Sequence, residues 1–149
     1  MKVNWGAIML AAIIHFGFGA FWFTAFATAW RAGIRMSPEE MQAYMSHPNF
    51  WPYIISFLCS LGMALVISWV MGISCKFSLF RGVLAGLMVG IVAALAMITE
   101  MAFEYRSSTF MFISAAYPLI GCVLMGIVLG VWKPKDAVAE AQLVNSPPL

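Results

Sequence analysis

The sequence predicts an all-α, four-helix transmembrane bundle with a short interfacial helix between the first and second spans. Two observations carry this. Apolar residues make up 63% of the 149 positions and charged residues only 9%, against about 45–50% and 25% in ordinary soluble domains. A chain this short leaves much of its surface exposed, so water cannot be its only solvent. The few charges also divide the chain into long uncharged runs. Val3 to Trp30, Phe50 to Cys75, Gly82 to Thr99 and Ser107 to Trp132 carry none. A spanning helix needs about 20 mainly apolar residues. Hydrocarbon forces backbone groups to pair within the segment, so such runs are helices. Their lack of polar–apolar alternation argues against a membrane β-barrel.

The expected spans are residues 4–30, 51–75, 81–104 and 109–132, followed by a polar tail, 133–149. Ala27-Thr28-Ala29 has the form of a signal-peptidase site. The apolar run before it is far longer than a 7–15-residue signal core, so it is read as a retained span. Between spans one and two, Ser37 is placed as a helix N-cap, Pro38 at the first helical position, and Glu39 and Glu40 in the first turn. Pro48 is expected to end this helix, with Met41, Tyr44 and Met45 on its membrane-facing side.

Lysine and arginine bias sets orientation. Lys2, Lys76, Arg81, Lys133 and Lys135 fall on one side, and Arg31, Arg35 and Arg106 on the other. The expectation is a multi-pass cell-membrane protein, of a bacterial inner membrane, with both termini cytoplasmic. The net charge of +2 and the lack of a basic cluster argue against nucleic acid. Cys59, Cys75 and Cys122 show no paired spacing and read as small packing residues.

Helices in lipid associate by close approach at small residues. Each span carries such residues at four-residue spacing. Span one has Ala7, Ala11, His15 and Gly19. Span two has Ser56, Ser60, Ala64, Ser68 and Gly72. Span three has Gly82, Gly86, Gly90 and Ala94. Span four has Ser114, Cys122, Gly126 and Gly130, interrupted by Pro118. The expected result is a tight bundle, with a stripe to spare for a second copy.

Ionisable groups inside a membrane are costly and are candidates for function. Glu100 and Glu104 lie at the far end of span three. At about 100° per residue, Glu100 shares the face of Gly82, so both carboxylates are expected on the packing side. One reading is an ion or proton site with Arg106 and Tyr117 nearby; the other is interfacial carboxylates paired with Arg106 or Arg31. His15 lies near mid-span. It is read either as a ligand to a haem or pigment, or as a neutral imidazole hydrogen-bonded to Tyr117, which sits at similar depth. Phe16, Phe18, Phe21, Trp22, Phe23, Phe26 and Trp30 make the exit of span one aromatic-rich, while Trp5, Trp51 and Trp132 mark span ends. A lipid, quinone or pigment surface is an alternative reading of the former set. Met41, Met45 and His47 offer soft ligands to Cu(I), in a chain where methionine is frequent throughout. No phosphate loop, catalytic triad order or zinc spacing occurs.

Two stretches resemble a family of small bacterial membrane proteins, domain of unknown function 1761. Phe18-Gly19-Ala20-Phe21-Trp22-Phe23-Thr24, Ala29-Trp30 and Met36-Ser37-Pro38-Glu39-Glu40 resemble its G-x-L-W-Y-S, A-W and L-S-x-E-E segments. Phe103-Glu104-Tyr105-Arg106 and Ile113-Ser114-Ala115-Ala116-Tyr117 resemble its F-E-R-R and I-D/N-A-G-Y-H. The resemblance runs from about Asn4 to Trp132 and singles out Trp22, Glu104, Arg106 and Tyr117. The chain departs from the pattern at Phe23, Ser114 and Pro118, where the family has tyrosine, an acid or amide, and histidine. These losses imply a non-enzymatic role without a cofactor. The expectation is a scaffold or accessory subunit packing in the bilayer against copies of itself or a larger complex. An oligomeric transporter or channel using Glu100, Glu104 and His15, or a cofactor-binding subunit, are the alternatives.

Overall fold

A computed structural model of the protein describes residues 4–34, 36–46, 49–73 and 78–132. The polar tail 133–149, Lys2, Arg35, His47, Pro48, Cys75 and Lys76, and the side chains of Tyr44 and Met45, lie outside what is described. Among the described residues six helices follow in order: α1 (Trp5–Ala25), α2 (Ala27–Ala32), α3 (Pro38–Ser46), α4 (Trp51–Ile73), α5 (Leu79–Phe103) and α6 (Ser108–Val131). Among the described residues there is no strand. α1, α4, α5 and α6 are each long and apolar enough to cross a membrane. At about 1.5 Å per residue they match a hydrocarbon core about 30 Å thick. The chain is an all-α, multi-pass membrane protein. The start of α1, the end of α4, the start of α5 and the end of α6 share one side of the bundle, here the termini side. The opposite side is the loop side.

Short polar side chains start the helices. Asn4, Ser78 and Ser107 accept from the backbone N–H three residues on, at Ala7, Arg81 and Phe110, and the Asn49 amide oxygen accepts from Trp51. Each satisfies a donor that a helix start would leave bare in an apolar medium. At α3, Ser37 and Glu40 form the reciprocal capping box. The Ser37 N–H donates to Glu40 Oε2 at 2.8 Å, and the Glu40 N–H donates to Ser37 Oγ at 3.2 Å.

The first span is not one regular helix. Phe26 breaks it into α1 and α2, although hydrogen bonding continues from Phe26 to Trp22 and from Trp30 to Phe26. The Thr24 hydroxyl donates back to the Ala20 carbonyl at 2.7 Å, a bond known to bend helices. α5 ends in a Schellman turn. The Arg106 N–H reaches the Met101 carbonyl, the Tyr105 N–H reaches the Ala102 carbonyl, and Tyr105 takes the left-handed conformation with φ 53°.

The tightest seam joins α5 to α6. A Cβ at Gly82 would meet the Gly126 carbonyl, and one at Gly86 the Cys122 carbonyl. One at Gly90 would lie 3.0 Å from Leu119 Cα. Only hydrogen at these positions lets the two backbones touch. The two helices then part. On the loop side, Ala94, Ile98, Ser108, Met111, Ala115 and Leu119 line an open apolar groove of about 330 Å³. The packed core lies on the termini side, where Ile8, Ala11, Ala64, Ile67, Ala85 and Met125 close against each other. Large apolar side chains such as Leu58, Val92 and Phe112 face outward, where lipid takes the place of water.

The small-residue stripes of α1, α5 and α6 are buried within the chain, and in α4 the stripe starts at Ser60. Ser56, expected among the packing residues, is exposed. The reason is that before Ser60 only Phe57 of α4 packs on a neighbour, edge-on to Phe16. The packing residues Gly82, Gly86, Gly90, Gly126 and Gly130 are used within the chain, each against the backbone of the facing helix or its entry.

Candidate functional site

Two polar constellations stand out, one in the middle of the bundle and one at its loop side. The central one joins three helices. His15 on α1 lies ten residues in from Trp5, Ser60 on α4 nine residues in from Trp51, and Tyr117 on α6 nine residues in from Ser108. Equal depth brings them together. His15 Nδ1 is 2.8 Å from Ser60 Oγ and 3.1 Å from the Tyr117 hydroxyl. The His15–Tyr117 pairing expected from depth is therefore present, and the same arithmetic applied to α4 would have found Ser60. The imidazole is 1% exposed. Its edge carrying Nε2 rests on α6, where a Cβ at Gly121 would lie 2.7 Å from that nitrogen. A haem or pigment plane could not reach Nε2 unless α1 and α6 separated.

Aromatic rings wall this cluster on the loop side. Tyr117 packs against Phe18 at 6.1 Å and Phe23 at 5.2 Å between ring centroids. Phe23 meets Trp30, and Trp30 stacks on Phe110. The Trp22 indole N–H donates to the Ile113 carbonyl at 2.9 Å. Much of the aromatic run of span one therefore packs against α6 rather than offering a ligand surface. Phe21 alone of that run's mid-span rings is largely exposed, at 67%.

The second constellation ties the α5–α6 turn to the end of α2. Arg106 Nε donates to Glu104 Oε2 at 2.8 Å, and Nη1 donates to the Gly33 carbonyl at 3.1 Å. The guanidinium also lies over the Phe110 ring, 5.3 Å from its centroid. Phe110 in turn fills the space beside Gly33, where a Cβ would lie 2.6 Å from Phe110 Cβ. Arg106 thus neutralises a carboxylate at the turn, as expected, and places its charge at the carbonyl end of α2.

Glu100 and Glu104 do not face the packing side; both are exposed. The expectation failed because a stripe spaced every four residues advances about 40° per step round the helix. By Ala94 and Met101, the last buried positions of α5, the contact line lies about 110° from the direction of Gly82 and Glu100. Glu100 therefore points outward. Glu104 is brought to Arg106, but Tyr117 is not part of that group. Its hydroxyl serves His15. Ser114 and Pro118, which stand where the resembled family has polar residues, are buried in α6. Among the described residues no group of three or more histidine, cysteine or acidic side chains is placed to hold a metal ion.

The motifs shared with the resembled family fall on structural junctions: Trp22 at the α1–α6 hydrogen bond, Ser37 to Glu40 at the capping box, and Phe103 to Arg106 at the Schellman turn. No curated protein and no solved structure matches the chain. A family model does match, over residues 6–130. The span from the start of α1 to the end of α6 therefore belongs to the family described as protein of unknown function (DUF1761).

Proposed function

We propose that this protein is a non-enzymatic scaffold or accessory subunit that packs in a cell membrane against copies of itself or a larger complex. The observation that carries the reading is how the polar groups are used. His15, Ser60 and Tyr117 close on each other across three helices, and Arg106 closes on Glu104 and Gly33. His15, Ser60, Tyr117 and Arg106 each join one helix to another, and Glu104 neutralises Arg106 at its own turn, rather than lining a path through the bundle. The helix faces then turned outward are broad and apolar, above all on α4 and α5. They are the surfaces on which a membrane partner would pack by shape. Lys and Arg bias in the sequence supports both termini on the cytoplasmic side, with Lys2, Lys76, Arg81, Lys133 and Lys135 against Arg31, Arg35 and Arg106.

Native mass spectrometry of the protein released from its own membrane with minimal detergent tests this. The expected spectrum contains the chain bound to itself or to other polypeptides. A lone monomer, with lipid only, overturns the proposal.

A further inference from the structure

α4 is held unevenly along its length. From Ser60 to Gly72 it presents Ser60, Ala64, Ile67, Met71 and Gly72 to the bundle, all buried. From Trp51 to Cys59 only Phe57 is partly covered, edge-on to Phe16. Ser60 is thus the last buried residue on the way to the loop side, and its hydroxyl faces His15 Nδ1 at 2.8 Å.

The Ser60 hydroxyl lies 2.8 Å from both His15 Nδ1 and the Ser56 carbonyl, and the Tyr117 hydroxyl lies 3.1 Å from the same Nδ1. Nδ1 is thus held from α4 and from α6, while Nε2, buried against Gly121, has no hydrogen-bond partner.

The same stretch of α4 is built to bend. A serine that bonds back to the carbonyl four residues earlier opens the helix on one side, and Gly/Ser pairs are common kink sites. Ser60 is followed by Gly62, which is exposed and whose Cβ position has no atom within 4 Å. That glycine therefore serves no close approach inside the chain, unlike those of the α5–α6 seam.

We infer that α4 is a hinged helix. Its loop-side part, Trp51 to Ser60, swings on Gly62, and the His15–Ser60 hydrogen bond is the latch that holds it closed. Opening keeps the termini-side half packed. It uncovers the imidazole, while Cys122 stays covered by Met63, whose sulfur lies 3.8 Å from its thiol on the half that does not move.

Cys59 is exposed and sits on the moving half, next to the latch. In full-length protein with Cys75→Ser, reconstituted in phosphatidylcholine nanodiscs, a trifluoroethylthio tag on Cys59 reports the position of that half by 19F NMR; buried Cys122 is not tagged. Two resonances in exchange are expected, the minor one being the open state. Ser60→Ala should raise the minor population about three- to ten-fold, the range one interhelical hydrogen bond controls. Gly62→Ala, which meets no steric obstacle, should lower it. A single resonance indifferent to both changes overturns the hinge, as does a minor population that Gly62→Ala leaves unaltered. If Ser60→Ala does not fold, the 15N imidazole shifts of His15 in Tyr117→Phe protein decide the latch. A hydrogen-bonded Nδ1, in either tautomer, supports it, and an Nδ1 without a hydrogen bond overturns it.

Discussion

The indole nitrogen of Trp22 donates to the carbonyl oxygen of Ile113 at 2.9 Å, spanning 91 residues of sequence to fasten α1 to α6. Pro118 lies one turn further along α6. Proline has no N–H to offer the carbonyl of Ser114 and crowds that turn, so α6 is weakest as a helix just where α1 is bonded to it. Trp22→Phe removes the donor, together with the pyrrole half of the indole, and keeps an aromatic ring against Phe18 and Phe26. It should cost about 1 kcal/mol, seen as an earlier midpoint in an SDS unfolding titration. An unchanged midpoint would mean that ring packing alone holds the contact.

Glycine substitutions should divide into two classes. A Cβ at Gly82 strikes the Gly126 carbonyl of the facing backbone, which has no rotamer to yield. Gly82→Ala must therefore push α5 off α6, at a cost of about 1–3 kcal/mol or more. Gly17 lies on the outer face of α1 with nothing near its Cβ position. Gly17→Ala should be neutral or stabilising by up to about 1 kcal/mol, because alanine has the higher helix propensity. Equal effects of the two substitutions in the same titration would contradict the α5–α6 seam.

Arg106 should not be replaceable by lysine. Nε holds Glu104 while Nη1 holds the Gly33 carbonyl, a fork that a single ammonium cannot reproduce. Arg106→Lys should lower the thermal unfolding midpoint nearly as far as Arg106→Ala. Glu104→Gln should do less, because the Glu104 side chain is 47% exposed and its ion pair is screened by water. A full rescue by lysine would show that charge alone matters at this turn.

The capping box of α3 predicts a local pH response. The Ser37 N–H, and then its hydroxyl, hold the Glu40 carboxyl below its ordinary value. A depressed folded-state pKa contributes stability that is present above the ordinary carboxylate range and is lost as pH falls through the folded value. The first turn of α3 should therefore keep its order at neutral pH and fray in acid. Ser37→Ala should move the Glu40 titration, followed by side-chain carboxyl NMR, upward. No movement would remove the cap.

The number of long apolar helices, the short helix α3 with its serine cap, and the depth match between His15 and Tyr117 were all legible in the sequence. Hydrocarbon imposes length and helicity on any long uncharged run, and 1.5 Å per residue converts position into depth. Family motifs pointed to Trp22 and Arg106 without saying what they hold. Tertiary structure alone decided which way each helix turns its faces. The crossing of α5 over α6 carried the contact line away from Glu100, and the uneven docking of α4 left Ser56 outside and Ser60 inside. It also chose the Ile113 carbonyl for Trp22 and the left-handed turn at Tyr105. A one-dimensional pattern records where a residue lies along its own helix. The angle at which two helices cross arises only from the shapes of both, so the partners of a side chain appear only when the helices have packed.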